Sequence, residues 1–412
     1  MKDPVRIQDV YCTNNDYSKI CSVTEETFAS PTVPLIHQMS RFWLVTEGSG
    51  TLRLQGREYE LRPGAVVSVS PWQISDIVRV TETLHFYVLA YYFYSINNAV
   101  KALSTLCSSH IDFISSMQKS PVLYCSREEL AALTLSFRQL QERSGEETAG
   151  GNSSLREVAV ITKLVEIVLS FLQIAEKTAA TQTNGAAIQK SDILPYLYRN
   201  LSKKITLGEL SARFYMSESA ISDYIHQTTG FSFFDLINEM RVGKAIHLLL
   251  CTGLEQKEIA DLLGFVDTPH FSKVFAERVG ITAGEFRRIY KRHSEYYEAA
   301  GNPFSQDVIS YIYRHYDEEL TPQATAARFH MTPRDLNAML LYQVEKDFSQ
   351  FLNYVRVNRA TELIKTTKKS IAEISAEVGY NNEKTLTRNF LKQRSMSLGE
   401  FRRRVQLQDA RI

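Results

Sequence analysis

Four short groups of polar and charged residues in the C-terminal half carry side chains that can bond to the edges of nucleic-acid bases. Each group follows a helix start signal, so its donors and acceptors are expected on the first turns of a helix. An arginine can donate two hydrogen bonds to one guanine, which makes Arg388 the strongest candidate. The candidate groups are Ser219, Ser222, Asp223 and His226; Thr268, His270, Ser272 and Lys273; Arg334 and Asn337; and Glu383, Lys384, Thr387 and Arg388. Their spacing predicts an exposed reading face on each of four helices.

A second kind of candidate consists of adjacent arginines, which occur at two places in the C-terminal half of the chain. Arg287 and Arg288 form one pair, and Arg402, Arg403 and Arg404 form a second cluster. Positive side chains there can contact phosphate and supply affinity that does not depend on base sequence. The alternative is that they are solvated helix ends. Neutralising Arg402 and Arg403 is expected to weaken binding to every sequence and to flatten its salt dependence.

Short helix pairs with a tight turn must position these residues. In the first pair, apolar residues at helical spacing lead to Ser217, a good N-cap for the next helix. In the second pair, Gly264 supplies the left-handed residue that ends the short helix, and Phe265 fills the corner. Four such units begin at Leu207, Glu258, Ala324 and Glu373. This is the helix-turn-helix arrangement, which places its second helix in a DNA groove.

The pattern also repeats on a larger scale. Residues 192–290, here called copy one, align without a gap to residues 307–405, here called copy two, with about a quarter of positions identical. Such a repeat is too long for a solenoid unit and is typical of two copies of one domain. Two alternatives stay open. Helix pairs with glycine corners also occur in bundles without a nucleic-acid role, and one copy could keep the fold while having lost DNA binding.

Each copy resembles the DNA-binding domain of the AraC/XylS family of bacterial transcription regulators. The residues that carry the resemblance are Ile259, Ala260, Gly264, Phe265, Phe271, Phe275, Gly280, Phe286 and Arg287 in copy one, and Ile374, Gly379, Tyr380, Phe390, Phe401 and Arg402 in copy two. The resemblance implies seven helices per copy and two recognition helices in successive major grooves of double-stranded DNA. It also implies a sequence-specific regulator, expected to activate transcription together with RNA polymerase. A tandem pair in one chain is unusual for the family.

Charge is divided unevenly between the copies. The whole chain of 412 residues has a formal net charge of +1. Copy one holds 11 Lys and Arg residues against 12 Asp and Glu residues, whereas copy two holds 16 against 12. Because phosphate neutralisation supplies most non-specific affinity, copy two is expected to be the better electrostatic anchor.

Composition favours a cytoplasmic protein. The five cysteines are odd in number and scattered, with no CxxC pair, which suits a reducing compartment and predicts neither a disulfide framework nor a zinc site. The N-terminus lacks the apolar core of a signal peptide. No uninterrupted run of 18 apolar residues occurs, so no membrane span is expected.

The N-terminal half predicts a small β-barrel. Strands are expected at residues 41–46, 51–55, 58–62, 65–70, 77–80 and 85–94, with turns at the glycine-containing run 47–50 and at Pro63-Gly64. The order of strands and glycines resembles the cupin-like effector domain that precedes the DNA-binding domain in this family. The resemblance implies a small-molecule effector in the barrel mouth, with Trp43, Trp72 and Tyr87 as candidate contacts. The alternative is that these aromatic residues are core.

No catalytic or metal-binding constellation is evident. His37 and His85 stand alone, without an HxH pair, whereas a metal site needs three or four ligands. We therefore expect no enzyme activity, no metal and no cofactor. One alternative is a cupin-type metal-dependent enzyme with accessory helical domains. Another is a protein-interaction regulator that has lost DNA binding.

The predicted architecture is an α+β multidomain chain, with a cupin-like barrel followed by two all-α domains. Two amphipathic stretches after the barrel are expected to be helical and to pair two subunits in a homodimer. The expected segments are an effector domain at 1–125, a dimerisation element at 126–177, a linker at 178–190, a first DNA-binding domain at 191–291, a linker at 292–305 and a second DNA-binding domain at 306–405.

Overall fold

The computed structural model describes residues 5–7, 21–91, 117, 120–145, 153–179, 189–202, 205–290, 304–329, 331–394 and 396–409. Its internal contacts divide the chain into two compact units. Unit 1 contains Met1–Cys251 with Glu255–Asn302, and unit 2 contains Thr252–Leu254 with Pro303–Ile412. The predicted fold class, a sheet-rich N-terminal region followed by helical repeats, is confirmed. Both predicted linkers lie largely outside the described residues, so their bounds stay predictions.

One mixed sheet forms the N-terminal part of unit 1, here called the sheet domain. Its strands are β1 (Arg6–Ile7), β2 (Cys21–Phe28), β3 (Leu35–Ile36), β4 (Ser40–Leu54), β5 (Arg57–Leu61), β6 (Ala65–Val69), β7 (Ile74–Tyr91) and β8 (Val122–Tyr124). The strand order is β1-β3-β7-β4-β6-β8, with β2 also paired to β7 and β5 to β4. β1 and β3 run parallel, and the other pairs are antiparallel. The long strands β4 and β7 therefore organise the sheet.

The predicted turn at residues 47–50 is wrong, because β4 runs unbroken through Gly48 and Gly50. The likewise continuous β7 replaces the two strands expected at 77–80 and 85–94. A Cβ atom at Gly48 would overlap the carbonyl oxygen of Thr83, and one at Gly50 would overlap that of Arg79. The two glycines thus let β4 approach β7 closely, and the register shifts there mark bulges instead of a turn.

The two faces of the sheet have different partners. Side chains alternate between faces along a strand. The inner face carries a buried apolar cluster that includes Trp43, Val67, Phe86 and Val88. The outer face carries Phe42, which is fully buried.

Two helices cover the outer face, α1 (Arg127–Gly145) and α2 (Ser153–Ala179). The ring of Phe171 on α2 lies 5.0 Å from that of Phe42, centroid to centroid. Helix α1 begins at a capping pair, since Ser126 Oγ accepts from Glu129 N at 3.2 Å and Ser126 N donates to the Glu129 carboxylate at 2.8 Å. Whether these helices also pair two subunits stays a prediction.

Within the described residues, one stretch of α2, Val158–Thr178, is long and apolar enough to cross a membrane by length and composition. Half of its 18-residue window is buried within the protein. A core helix of a soluble protein passes the same test, so the finding is weak evidence for a span.

Copy one consists of helices α3 (Ile193–Tyr198), α4 (Leu207–Phe214), α5 (Glu218–Thr229), α6 (Phe233–Cys251), α7 (Gln256–Leu262), α8 (Thr268–Val279) and α9 (residues 283–290). Copy two consists of α10 (Phe304–Arg314), α11 (Pro322–Arg328), α12 (Pro333–Val344), α13 (Phe348–Thr366), α14 (Ile371–Glu377), α15 (Glu383–Arg394) and α16 (Leu398–Asp409). Seven helices are therefore described in each copy, as predicted.

The sheet domain and copy one share a buried apolar cluster. Ile36 and Trp72 from the sheet domain pack with Ile193, Leu236 and other side chains of copy one. Gln55 and Ser191 reinforce the junction, because the Gln55 side chain donates to the Ser191 carbonyl at 2.9 Å and the Ser191 hydroxyl donates back at 3.0 Å. Burial of this shared apolar surface holds unit 1 together.

Candidate nucleic-acid interface

The first recognition helix of copy one is α5, and its cap is the predicted one. Ser217 Oγ accepts from Ala220 N at 3.2 Å. Ile221 and Ile225 are fully buried, which turns the opposite face of the helix outward. On that face Ser219, Asp223 and His226 are exposed and Ser222 is half-buried. This face therefore offers the hydroxyls of Ser219 and Ser222, the Asp223 carboxylate and the His226 imidazole, and these four positions include no arginine or lysine.

The second recognition helix of copy one is α8. Asp267 caps it by accepting from His270 N at 2.7 Å. Phe271 and Phe275 are fully buried and anchor the helix in the core of copy one. Of the four predicted reading residues, Lys273 is exposed and three are half-buried, namely Thr268, His270 and Ser272.

Two of the α8 side chains are partly engaged within the protein. Lys273 Nζ lies 3.9 Å from the Glu277 carboxylate. The His270 ring lies 5.8 Å from the Phe265 ring, centroid to centroid. The positive charge available on this helix is therefore partly neutralised by its own next turn.

In copy two, α12 is the first recognition helix, and Thr332 caps it by accepting from Asp335 N at 3.2 Å. Arg334 is exposed, whereas Asn337 is half-buried. The Asn337 side-chain oxygen accepts from Phe348 N at 2.8 Å, which is the first amide of α13. Asn337 thus joins two helices, and a reading role for it stays a prediction.

Helix α15 presents the most favourable reading face. Asn382 caps it by accepting from Thr385 N at 2.9 Å, and Leu386 and Phe390 are fully buried. All four predicted reading residues are exposed: Glu383, Lys384, Thr387 and Arg388. Within the described part of the chain, Lys384 and Arg388 make neither a hydrogen bond nor an ion pair. Two cations on one helix are therefore available to DNA.

An arginine in each copy fixes the corner between the short helices, and sequence analysis did not assign it this role. Arg356 donates to the Tyr316 carbonyl at 2.7 Å and lies over the Tyr380 ring, 5.3 Å from its centroid. In copy one, Arg241 donates to the Leu201 carbonyl at 3.3 Å and lies 5.6 Å from the Phe265 ring centroid. Arg241 and Arg356 occupy equivalent positions in the repeat, and this is the sequence signal from which their role could have been inferred.

The terminal arginines divide into two kinds. Arg287 donates to the Leu249 carbonyl at 3.3 Å, and Arg402 donates to the Lys369 carbonyl at 2.6 Å. Burial lowers the pKa of Arg287. Arg288 and Arg403 are exposed. The first two arginines thus serve the fold, and Arg403 has its charge in solvent, where phosphate can reach it. The exposed charge of Arg288 is partly neutralised by the Glu285 carboxylate, 3.9 Å away.

A polar network distinguishes the core of copy two. The Tyr380 hydroxyl and the Asn389 amide both donate to the Asn353 side-chain oxygen at 2.8 Å. Asn389 belongs to α15, so the network ties this recognition helix to the long helix α13. The corresponding positions in copy one are Phe265, Asn238 and Val274, where Val274 and Phe265 are buried apolar side chains.

The three predicted effector contacts lie in three different surroundings. Trp43 is buried on the inner face of the sheet. Trp72 packs in the cluster shared with copy one. Tyr87 contacts α1, where Arg138 Nε donates to its hydroxyl at 3.0 Å. The structure does not bring these three residues together, and Trp43 alone of them lies in the inner-face cluster.

Within the described residues, no group of three or more His, Cys, Asp or Glu side chains is placed to hold a metal ion. His37 Nε2 lies 2.7 Å from the Ser75 hydroxyl, and His85 Nδ1 lies 3.1 Å from the Thr27 hydroxyl. The two histidines therefore have separate partners.

Residues 210–289 and 325–404 both match the helix-turn-helix domain family. The chain is 23% identical over 266 residues to the HTH-type transcriptional regulator YfiF of Bacillus subtilis, covering 62% of this chain and 80% of YfiF. It is 25% identical over 298 residues to the HTH-type transcriptional activator Btr of the same organism, covering 66% of this chain and about half, 54%, of Btr. Among solved structures, ToxT from Vibrio cholerae matches with a TM-score of 0.29 and 14% identity, over 66% of this chain and 99% of that one. Both matched stretches contain the recognition helices described above.

Proposed function

The chain is a DNA-binding transcription regulator of the AraC/XylS family with two tandem helix-turn-helix domains, and on this premise we propose that both copies contact DNA, mostly through their second recognition helices. The observation that carries the proposal is the reading face of α15, where Lys384 and Arg388 are exposed and have no partner among the described residues. In copy one, α8 supplies Lys273, whereas α5 exposes Asp223 in place of a cation.

The whole protein is proposed to be a cytoplasmic homodimer that activates transcription through contact with RNA polymerase. The relative Btr is named an activator, which supports activation by this chain. A small effector that binds the sheet domain is proposed to control DNA binding through copy one. The supporting observation is the shared cluster in which Ile36 and Trp72 pack against copy one.

DNA selection from a random library tests this function directly. The full-length protein should enrich one motif, and the variant Arg388→Ala should lose base preference at one position of that motif. Each recognition helix fills one major groove, and successive grooves lie about 34 Å apart. Footprinting on the selected site should therefore show protection of about four turns per chain if both copies bind. Protection of about two turns per dimer, unchanged when residues 303–412 are deleted, would show that copy two is a structural relic.

A further inference from the structure

Three polar atoms on the inner face of the sheet domain are buried without a hydrogen-bond partner among the described residues. They are His37 Nδ1, Arg41 Nε and Trp43 Nε1. The residues themselves are 1%, 8% and 7% exposed, respectively. A buried donor or acceptor without a partner costs free energy, and an unpaired buried charge costs more. A cluster of such atoms therefore indicates a missing partner.

These three residues lie together. Arg41 and Trp43 are two residues apart on β4, so their side chains share one face. The His37 ring meets the Trp43 ring edge-on, with centroids 5.8 Å apart. The Ser75 hydroxyl engages His37 Nε2 at 2.7 Å, which leaves Nδ1 as the orphaned nitrogen. One site thus holds a guanidinium, an indole N–H and an imidazole nitrogen.

Apolar side chains surround this polar site. The Trp43 ring stacks on Phe86 at 5.6 Å, and Phe86 in turn stacks on Phe28 at 5.4 Å. The inner face also carries Val67 and Val88, both buried. An occupant of this site would therefore present an apolar or aromatic body to these rings, with its polar group toward Arg41.

The charge at the site is positive. Burial lowers the pKa of Arg41 to about 10, and the carboxylate of Glu26 acts in the opposite direction, so the guanidinium is still a cation at neutral pH. Burial and the charge of Arg41 hold the pKa of His37 well below its usual range, so the imidazole is neutral. The Arg41 guanidinium is therefore the cation with which a negative charge on an occupant would pair, in competition with Glu26.

We propose that His37, Arg41 and Trp43 form the binding site for the carboxylate of a small amphipathic acid. The planar guanidinium can donate two parallel hydrogen bonds to a carboxylate, and the indole N–H can donate a third. A phosphate dianion would bring a surplus charge into apolar surroundings. The proposal rests on the effector-controlled function proposed above, since it names the chemical class of that effector.

The site also adjoins the junction with copy one. Trp72 N donates to the His37 carbonyl at 2.6 Å, and Trp72 packs in the shared cluster. Gln38, next in sequence, reaches Glu239 of α6 at 3.5 Å, and Glu239 pairs with Arg278 of α8 at 3.2 Å. Movement of His37 on ligand binding would therefore be transmitted toward the second recognition helix of copy one.

Calorimetric titration of the full-length protein at neutral pH tests the site. The probes are 3-phenylpropionate and octanoate, each compared with its own amide, which has the same shape and no charge. We expect each carboxylate to bind at least roughly tenfold more tightly than its amide, because only the carboxylate pairs with Arg41. Equal binding of acid and amide, or binding of neither carboxylate at millimolar concentration, would overturn the proposal.

Variants separate this site from adventitious binding. Arg41→Gln should abolish the preference for acid over amide. Arg41→Lys should keep that preference with roughly tenfold weaker binding, because the ammonium lacks the planar fork. If Arg41→Gln does not fold, the weaker binding by Arg41→Lys tests the role of the guanidinium instead. Glu26→Gln should strengthen carboxylate binding, since it removes the competing internal charge. A preference for the acid that survives Arg41→Gln would overturn the assignment.

DNA binding by the same preparations separates a failure of the effector assignment from a failure of the proposed function. If the ligand-free protein binds its selected DNA site but shows no preference for carboxylates, the effector assignment alone fails. If the protein binds no specific DNA, the proposed function fails, whatever the titration shows.

Discussion

Copy one and copy two use the same scaffold with different surface chemistry. Both have an arginine that donates to a carbonyl and stacks on the corner aromatic ring, Arg241 on Phe265 and Arg356 on Tyr380. On the second recognition helix, however, Lys273 is paired with Glu277, whereas Arg388 has no partner within the described residues. The difference teaches that the scaffold contacts and the exposed charge of one repeat are set by separate residues. Each can therefore change while the other is kept.

The largest expected effect is a loss of folding stability when the corner glycines Gly379 and Gly264 are replaced. The loss is expected to be larger in copy two than in copy one. Gly379 has a φ of 81°, and an added Cβ would lie 2.7 Å from the Asp317 carbonyl oxygen and 2.8 Å from that of Tyr316. Gly264 has a φ of 73°, but its nearest neighbour at 3.0 Å is the flexible end of Arg241. We expect Gly379→Ala to cost about 2–4 kcal/mol of folding stability and Gly264→Ala about 1–2 kcal/mol. Urea unfolding of full-length variants measures both, and equal losses would contradict the comparison.

The second expected effect is a pH dependence of the folding stability of unit 1. Burial, followed by the charge of Lys244, lowers the pKa of His247 on α6 to about 4. Below a pKa of about 6.5 the unfolded chain binds a proton there that the folded protein does not, so stability is lost as the pH falls. Between pH 7 and pH 5 the loss should be about 2 kcal/mol.

The counterpart of His247 in copy two is Glu362, so this contribution is specific to copy one. The variant His247→Gln should remove this pH dependence from the free energy of unfolding of unit 1, measured by urea unfolding. His37→Gln is the matched control in unit 1, because burial also lowers the pKa of His37. A pH dependence that is unchanged in the His247 variant would show that this group does not titrate on unfolding.

The third effect sharpens the difference in base reading. Arg388→Ala should weaken specific DNA binding by about 1–3 kcal/mol and relax the preference at one base pair, because a guanidinium can bond guanine twice. Lys273→Ala is the matched change in copy one and should cost less, because Glu277 already neutralises part of its charge. Binding titrations on the selected site decide the order, and an unchanged affinity and motif for Arg388→Ala would reject its role.

The smallest expected effect tests whether the ion pair with Glu277 reduces the contribution of Lys273 to DNA affinity. Glu277→Gln removes the partner of Lys273, and it should tighten DNA binding by a factor of about two to five at low salt. The exposed pair contributes little to stability, so unfolding should be unaffected. Unchanged affinity at low salt would show that Lys273 does not face DNA.

Much of the helical half was predictable from sequence because its signals are local. The cap Ser217 was identified from residue type and position, and the four short helices begin at or within two residues of the predicted unit starts Leu207, Glu258, Ala324 and Glu373. The sheet was less predictable, because Gly48 and Gly50 indicate a turn until their partner strand is known. A glycine needed for close approach and a glycine needed for a turn are the same residue in a sequence.

The sequence by itself determined the repeat, the four helix-turn-helix units and the charge of each copy, since these depend on residue type and spacing along the chain. The tertiary structure alone decided which polar groups are free. It engaged Asn337 with the start of α13 and Arg402 with the Lys369 carbonyl, and it left Arg388 open. It also separated Trp72 and Tyr87 from Trp43, and it gathered His37 and Arg41 beside Trp43. The physical reason is that hydrogen-bond partners and burial come from residues distant in sequence, which no local spacing can specify.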